Sequence, residues 1–431
     1  MLQTLRNAWK IPDLRKKILF TILLLVVFRF GSVIPVPWIS ADAIKDWLSS
    51  ESGNTLFNLL DTFSGGSFSQ ATIFAMSISP YINSSIITQL LCVAIPALER
   101  WSKEGEEGRK KITKLTRILT VVLAAIQAYG LFVTLHNQGA IDYAGAGSIP
   151  RFVVGLTIVL AFTAGTAFLM WLGEQITGRG IGNGISMLIF AGIVSSMPNM
   201  IYIAWQNFAN SSQWYILILL AIYMIASIMF VVLVNQGERR IPVQYAKRVV
   251  GRKMYGGQSS NIPIKVAMGG VIPIIFAMSI MSFPGTLAQL FGKDGGFLDK
   301  ATAFLTNGPI YPILYFLLIV GFTYFYTSIT FNPIEVSNNI KNNNGMIPGI
   351  RPGRPTTEYI AKVLSRITFI GALFLGIVAV LPIVLTMLFN TNVSALSLTG
   401  TSLLIVVGVA LETVREVESQ MIMRHYKGFL E

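Results

Sequence analysis

Residues 152–172 read FVVGLTIVLAFTAGTAFLMWL, a run of 21 residues without a single charged side chain. An α-helix rises about 1.5 Å per residue, so about 20 apolar residues cross the hydrocarbon core of a bilayer. A membrane β-strand is shorter and alternates between apolar and polar residues, which this run does not do. The run therefore predicts a transmembrane helix.

Similar runs occur along the whole chain of 431 residues, of which 53% are hydrophobic and 12% are charged. This balance is typical of membrane proteins and excludes a soluble domain of the same length. The runs predict ten spans, at 18–34, 70–94, 118–135, 152–172, 184–205, 214–235, 264–290, 310–331, 366–389 and 400–421. We therefore expect an all-α, polytopic membrane protein.

The distribution of charge predicts how these spans are oriented. The net charge is +13, and 28 of the 33 lysines and arginines fall on one side of the membrane once the ten spans are drawn. Loops rich in Lys and Arg face the cytoplasm. The sequence therefore predicts a multi-pass protein of the cell (inner) membrane with both termini in the cytoplasm. Its two largest basic cytoplasmic loops would be 236–263 and 332–365.

Two of the spans are interrupted by helix-breaking residues. Span 2 follows Gly65-Gly66 and contains Pro80, and span 7 contains Gly269-Gly270. These are the second spans of two five-span halves, 1–205 and 206–431, which would enter the membrane from opposite sides. Interrupted helices at matching positions of inverted repeats indicate a functional cavity between the halves. The alternative is that Gly and Pro are simply frequent in membrane helices.

The predicted membrane interior contains very few ionisable residues. Spans 2, 3 and 5 to 9 have no Asp, Glu, His or Lys well inside their limits, although ion-coupled transport needs such groups near the midplane. Arg29 in span 1 is an exception, and Glu174 lies where span 4 meets the cytoplasm. We interpret Arg29 as an interhelical partner for loop carbonyls or a carboxylate. A substrate or lipid contact is the alternative.

No motif for catalysis or nucleotide binding is found. The sequence has no His-Glu-x-x-His, Gly-x-Ser-x-Gly or Gly-Lys-Ser/Thr pattern. Cys92 is the only cysteine, and His136 and His425 lie at span ends, so no metal site is predicted. The glycine-rich run 177–184 follows a span rather than a strand, which favours a tight turn over a phosphate loop. We expect no enzymatic activity and no cofactor, so an energy source would have to dock from outside.

A short apolar segment, residues 55–64, precedes span 2. Its apolar residues recur at helical spacing, namely Leu56, Phe57, Leu59, Leu60 and Phe63. About ten residues cannot cross a bilayer, so the segment either anchors at the external interface or folds back into a cavity. In the second case it would be a movable plug, with Gly65-Gly66 as its hinge.

Several stretches of the chain closely resemble the SecY/Sec61-alpha family of protein-conducting channels. They are FSGGSFS (63–69), ISPYINSSI (78–86), KEGEEGRK (103–110), MWLGEQITGRGIGNGIS (170–186), ERRIPVQYAKR (238–248) and PGIRPG (348–353). They occur in family order from end to end. The resemblance implies a clamshell of two five-helix halves, hinged between spans 5 and 6, with a lateral gate between spans 2 and 7.

The resemblance also implies roles for individual residues. It places a pore ring of aliphatic side chains at Ile78, Ile82, Ile189, Ile275 and Ile405, and it makes segment 55–64 the plug. It implies that the basic loops dock the ribosome and a SecA-like ATPase motor, and the candidate docking residues are Arg239, Arg240, Lys247, Arg248 and Arg351. Such cations suit ribosomal RNA phosphates or an acidic protein surface. Further implied partners are SecE-like and SecG-like small membrane subunits, signal sequences of preproteins and membrane lipids.

These observations lead to one functional hypothesis and two alternatives. The hypothesis is a channel subunit through which unfolded polypeptides cross the membrane or enter it sideways. One alternative is a secondary transporter of a small solute, which would also have inverted repeats but should carry an ionisable residue at mid-membrane. The other is a lipid scramblase or an insertase without a through-pore.

Overall fold

The structure is a computed structural model. It describes residues 6, 8–49, 61, 62, 64–143, 145, 149–209, 215–245, 248–250, 253–255, 259–291, 310–389 and 394–427. A helix lies at each of the ten predicted spans. The spans could be predicted because the length and apolarity of a run are read directly from the sequence.

The helices and strands follow one another along the chain in this order. They are α1 (Pro12–Gly31), α2 (Ala41–Ser49), α3 (Ser79–Ala94), α4 (Pro96–Lys103), α5 (Glu106–Asn137), α6 (Arg151–Arg179), α7 (Gly184–Ala209), α8 (Tyr215–Gln236), β1 (Glu238–Tyr245), β2 (Arg248–Val250), β3 (Lys253–Tyr255), β4 (Ser259–Lys265), α9 (Ile272–Phe291), α10 (Ile310–Thr330), α11 (Pro333–Asn342), β5 (Gly345–Met346), α12 (Arg354–Phe389) and α13 (Ser394–Lys427). Spans 1 to 10 correspond to α1, α3, α5, α6, α7, α8, α9, α10, α12 and α13.

Within the described residues, five helices are long and apolar enough to cross a membrane by themselves. They are Glu106–Asn137, Arg151–Arg179, Gly184–Tyr202, Ile310–Asn342 and Arg354–Leu385. A sixth candidate is the pair α3 and α4, which is bent by 102°. Shorter apolar helices lie at Ala221–Gln236 and Ile272–Met281.

The two interrupted spans begin later than predicted. We expected helices from residues 70 and 264, but α3 begins at Ser79 and α9 at Ile272. Turns occupy 65–78, where Ala71 and Ser77 both have a φ of 52°. Pro80 stands at the start of α3, where its missing N–H and fixed φ suit a first helical turn. Helix α9 begins shortly after Gly269-Gly270, and α3 begins after the turns that follow Gly65-Gly66.

The basic loop 236–263 contributes strands to a small sheet, which the prediction of an all-α chain did not include. Strand β1 pairs antiparallel with both β4 and β5, giving the order β4-β1-β5. Ile241 and Val243 are buried while the residues between and before them are exposed, so the strand alternates as a half-buried strand does. Strand β5 and the residues after it belong to the second basic loop. The two basic loops, 236–263 and 332–365, are therefore joined in one unit, which we call the basic platform.

Two apolar clusters hold the helices together. The larger one gathers buried residues from α1, α3, α6, α7, α8, α9, α10, α12 and α13. The second packs the turn 65–76 against the ends of α5 and α6 and the stretch 36–44, with Phe68, Leu135 and Phe162 at its centre. Many large apolar side chains outside these clusters are exposed, for example Phe152 at 79% and Phe30 at 75%. Such an exposed apolar band is what lipid contact requires.

Candidate functional site

The five isoleucines of the predicted ring lie in one apolar cluster. Ile78, Ile189 and Ile405 are buried there, with 3%, 4% and 1% of their surface exposed. Ile82 and Ile275 are partly buried and pack against the same cluster. They come from four different helices, α3, α7, α9 and α13. The cluster also contains many other residues, so the role of these five as a ring stays a prediction.

The start of α3 aligns two of these isoleucines. Ile78 is the residue that caps α3, and the N–H of Ile82 donates to its carbonyl oxygen at 3.1 Å. Residues four apart in a helix share one face. The left-handed φ of Ser77 turns the chain into the helix immediately before Ile78. The backbone break predicted in span 2 therefore places Ile78 at the amino-terminal end of α3.

Helices α3 and α9, which carry the predicted lateral gate, are in contact with each other. On its other side α3 is tied to α5 by a buried hydrogen bond, in which the Ser84 hydroxyl donates to the carbonyl of Thr116 at 2.7 Å. Helix α9 also contacts α5. Helices α3, α5 and α9 therefore form one packed group.

The segment predicted as a plug is described only at its carboxyl end. Leu56, Phe57, Leu59, Leu60 and Phe63 lie outside the described residues. Residues 61, 62 and 64 are helical, and this helix ends in a Schellman motif. The N–H of Gly66 donates to the carbonyl of Asp61 at 2.8 Å, and that of Gly65 to the carbonyl of Thr62 at 3.2 Å. Gly65 has a φ of 70°, the left-handed conformation that this cap needs.

Asp61 ties this helix end to the chain that follows it. Its Oδ1 accepts a hydrogen bond from the N–H of Ser69 at 2.7 Å. Burial raises the pKa of the Asp61 carboxyl, and the hydrogen bonds from Ser69 and Phe68 oppose that shift only in part. A carboxylate at this position is therefore expensive to keep charged while the segment is packed.

Arg29 binds the same short segment. Its Nη1 donates to the carbonyl oxygen of Gly65 at 2.9 Å and to the hydroxyl of Ser32 at 3.3 Å. This confirms the interpretation that Arg29 is an interhelical partner for a loop carbonyl. The predicted hinge is therefore in contact with span 1.

Three of the predicted docking residues, Arg239, Arg240 and Arg351, lie on the described part of the basic platform. Arg239 and Arg240 are exposed on β1, and Arg240 pairs with Glu238 at 2.6 Å. Arg351 is exposed after the turn that contains Gly349, whose φ is 82°. Lys247 lies outside the described residues. Of Arg248 only the backbone is described, in β2.

The core of the basic platform joins the two loops that carry these cations. Ile241, Val243 and Ile264 of β1 and β4 pack with Ile340 and Ile347 of the second loop and with Ile360 of α12. The structure therefore brings Arg239, Arg240 and Arg351 onto a single folded unit. The sequence placed them in loops 236–263 and 332–365 without indicating that those loops are joined.

Sequence reasoning missed one polar feature, a cavity of about 380 Å³ at the start of α9. Its lining includes Gly269, Gly270, Lys265, Glu412 and Arg415. Arg415 also donates to the carbonyl of Asn235 at 2.6 Å. The sequence does show charged residues after the apolar part of span 10. It does not indicate that two of them, Glu412 and Arg415, line a cavity with the start of α9. In the described part of the chain no group of three His, Cys, Asp or Glu side chains could hold a metal ion.

Comparison with known proteins agrees with the motifs quoted above. The family model named SecY matches residues 72–414. The chain belongs to the SecY family. SecY relatives match it over its full length, and protein translocase subunit SecY of Halalkalibacterium halodurans is 47% identical over 439 residues, with 100% of both chains covered. The corresponding subunits of Thermotoga maritima and Bacillus subtilis are 45% and 44% identical, cover 100% of this chain, and are themselves covered to 98% and 100%.

Solved SecY and Sec61 structures share the fold. A structure described as a protein conducting channel superposes with a TM-score of 0.64 at 19% identity and covers 94% of this chain and 92% of its own. Another, described in terms of the plug domain of SecY, gives 0.65 at 19% with the same coverage. Canine Sec61 in a ribosome–channel complex gives 0.64 at 18%, again covering 94% and 92%. The prediction of an α-helical, multi-pass SecY-type membrane protein is confirmed.

Proposed function

We propose that the chain is the channel subunit of a protein translocase, which passes unfolded polypeptides across a membrane and releases apolar segments sideways into it. The observation that carries this proposal is the convergence of five isoleucines from four helices in one apolar cluster, in a chain of the SecY family. The subunit would catalyse no reaction itself. A docked partner would supply the energy.

An isoleucine ring suits this task for a physical reason. A narrow apolar constriction wets poorly and therefore resists the passage of ions. It also lacks fixed dipoles and charges that would hold the polar groups of a passing peptide. In the proposed mechanism, Ile78, Ile82, Ile189, Ile275 and Ile405 seal around the translocating chain.

Opening would require two movements. An apolar signal sequence would separate α3 from α9, which are in contact in this structure. The plug, residues 55–64, would then leave the pore. One of the solved relatives is described as showing that the plug domain stabilises the closed state and maintains a membrane seal. The two halves, 1–205 and 206–431, would act as the rigid bodies, hinged between α7 and α8.

The basic platform is the proposed docking surface for a SecA-like motor or a ribosome. Its exposed Arg239, Arg240 and Arg351 suit phosphates of ribosomal RNA or an acidic protein face. Two similar structures, canine Sec61 and yeast Ssh1, are described as ribosome-bound complexes. By the same family argument SecE-like and SecG-like subunits would complete the channel in the cytoplasmic membrane, with both termini on the cytoplasmic side.

Site-specific photocross-linking tests the proposal. A photoreactive residue replaces Ile275 or Ile82, and the complex is given a preprotein that stalls during transport. We expect adducts with the stalled chain from both positions. The matched control is Ile225 on α8, which is 69% exposed and should react with lipid alone. Transport without adducts from Ile275 and Ile82, or equal adducts from Ile225, would contradict a pore at the isoleucine cluster.

A further inference from the structure

The further inference concerns Arg29 and rests on the proposed function. Arg29 is a charged residue inside span 1, and its sequence neighbours Val26, Phe30 and Val33 are exposed apolar side chains suited to lipid. A guanidinium in such surroundings is expensive unless its donors are satisfied. The contact that satisfies it crosses 36 positions of sequence and ends on the Gly65 carbonyl at 2.9 Å.

Arg29 and the Gly65 carbonyl both lie at the carboxyl ends of helices. Gly65 follows immediately after the helix that ends the plug, and Arg29 stands in the last turn of α1. The carboxyl end of a helix carries a partial negative charge, which attracts a cation. One guanidinium therefore neutralises the ends of two helices and joins span 1 to the root of the plug.

Gly65 is also fixed from the opposite side. A Cβ on this residue would lie 2.5 Å from the Ser195 hydroxyl and 3.0 Å from the carbonyl oxygen of Gly192, so the backbone packs directly on α7. At Gly66 a Cβ would meet nothing within 4 Å. Gly65 is therefore held between α1 and α7, and Gly66 is the residue with room to rotate.

We propose that Arg29 is a latch that positions the plug in the closed channel, acting through the peptide group that joins Gly65 to Gly66. Rotation about the N–Cα bond of Gly66, the residue with room to rotate, turns this carbonyl away from Arg29. A plug that swings at Gly66 therefore loses this charged hydrogen bond. Arg29 thus sets part of the threshold for opening rather than touching the transported chain.

Ion leak through the resting channel tests the latch. The full complex, carrying wild-type chain, Arg29→Met, Arg29→Lys or Lys16→Met, is reconstituted in vesicles that contain a halide-quenched dye. Iodide entry is measured without preprotein. Loss of one charged hydrogen bond should raise the leak of Arg29→Met about tenfold. Arg29→Lys should restore part of the seal, and Lys16→Met, which removes an exposed cation from the same helix, should match wild type.

A second readout separates a latch from a general structural role. Transport of a preprotein with a shortened signal should rise relative to transport of the full-signal preprotein in Arg29→Met, whereas damaged folding would lower both. If Arg29→Met fails to assemble, Gly65→Ala serves instead, because its Cβ must displace the same junction. It should leak similarly.

Three outcomes would overturn the latch. The first is a leak from assembled Arg29→Met equal to that of Lys16→Met. The second is a leak increase confined to vesicles with anionic lipid, which would make Arg29 a lipid contact. The third is an unchanged ratio of shortened-signal to full-signal transport. Failure of the wild-type complex to transport any preprotein would instead remove the proposed function. The two failures are therefore distinguishable.

Discussion

Nε of Arg117 lies 2.7 Å from Oε1 of Glu174, and this ion pair joins α5 to α6 at the ends of predicted spans 3 and 4. The Glu174 side chain is only 19% exposed, while that of Arg117 is 53% exposed. Sequence reasoning placed Glu174 at a span end but gave it no partner. The pair explains how a carboxylate is tolerated beside the membrane interior.

Breaking this ion pair should destabilise the helix pair modestly. Because Arg117 is half exposed, we expect a coupling energy of about 1 kcal/mol in a double-mutant cycle of Arg117→Gln and Glu174→Gln. Thermal unfolding of the complex in detergent is the measurement. The control pair, Arg354 and Glu358, is 3.0 Å apart but far more exposed, and should couple by about 0.3 kcal/mol. Equal coupling in both cycles would contradict the importance of burial at Glu174.

Gly165 in α6 should not tolerate a side chain. A Cβ there would overlap the backbone carbonyl of Ile73 in the turn that precedes α3. Gly165→Ala must push that turn away, at a cost of about 1–3 kcal/mol, and should lower the melting temperature of the complex. Gly321→Ala in α10 is the matched control, since its Cβ meets nothing within 4 Å and should be neutral or slightly stabilising. Equal melting temperatures for the two variants would contradict the close contact between Gly165 of α6 and the turn at Ile73.

The same turn shows why sequence predicted the helices better than their ends. The apolar run 70–94 looks like one helix, but residues 70–78 are held as turns by distant contacts. Thr72 forms a β-bridge with Pro35, and Gly165 packs on Ile73. A window along the chain contains neither partner. Only Pro80 and the Gly-Gly pair marked the place where the helix would fail to begin.

The candidate site, too, could be predicted from the sequence only in part. That Ile78 and Ile82 share a face follows from their spacing, but nothing in the spacing joins them to Ile189, Ile275 and Ile405. Only the family resemblance brought the five together. The interpretation of Arg29 was reached from physics alone, because a charge inside a span must find an acceptor, although its acceptor could not be named.

Reversing the charge of Arg351 should impair docking without unfolding the basic platform. Its side chain is exposed, and its backbone carbonyl, which the substitution keeps, accepts a hydrogen bond from the Thr356 hydroxyl at 2.8 Å. We expect Arg351→Glu to reduce motor-driven export by about tenfold, because a like charge replaces a complementary one at the interface. Membrane insertion and protease resistance of the platform should stay at wild-type values. The measurement is preprotein import into vesicles.

Lys341→Glu is the control for Arg351→Glu. It makes the same change of charge on an exposed residue of the same loop, at the end of α11. A specific docking role for Arg351 requires the Lys341 variant to export normally. Equal losses would show that the partner senses only the total charge of the platform, and normal export by Arg351→Glu would remove that residue from the docking surface.

Asp61 should make the resting seal depend on pH. Burial raises the pKa of its carboxyl above the ordinary value of 3.8, which it regains when the segment moves into water. The closed state therefore binds the proton more tightly than the open state. As pH falls through the window between the raised pKa and 3.8, the closed state gains stability, and ion leak should fall by about tenfold per pH unit inside that window.

Asp61→Asn separates this effect from other titrations. The amide oxygen can still accept the hydrogen bond that Ser69 donates to Oδ1, but the group carries no charge to desolvate. We expect the variant to leak less than wild type at neutral pH and to lose the acid-dependent tightening. Asp142→Asn is the matched control, because Asp142 also accepts a backbone N–H, that of Gly145 at 2.9 Å, but is exposed. Tightening on acidification that survives in Asp61→Asn would leave Asp61 with a purely structural role.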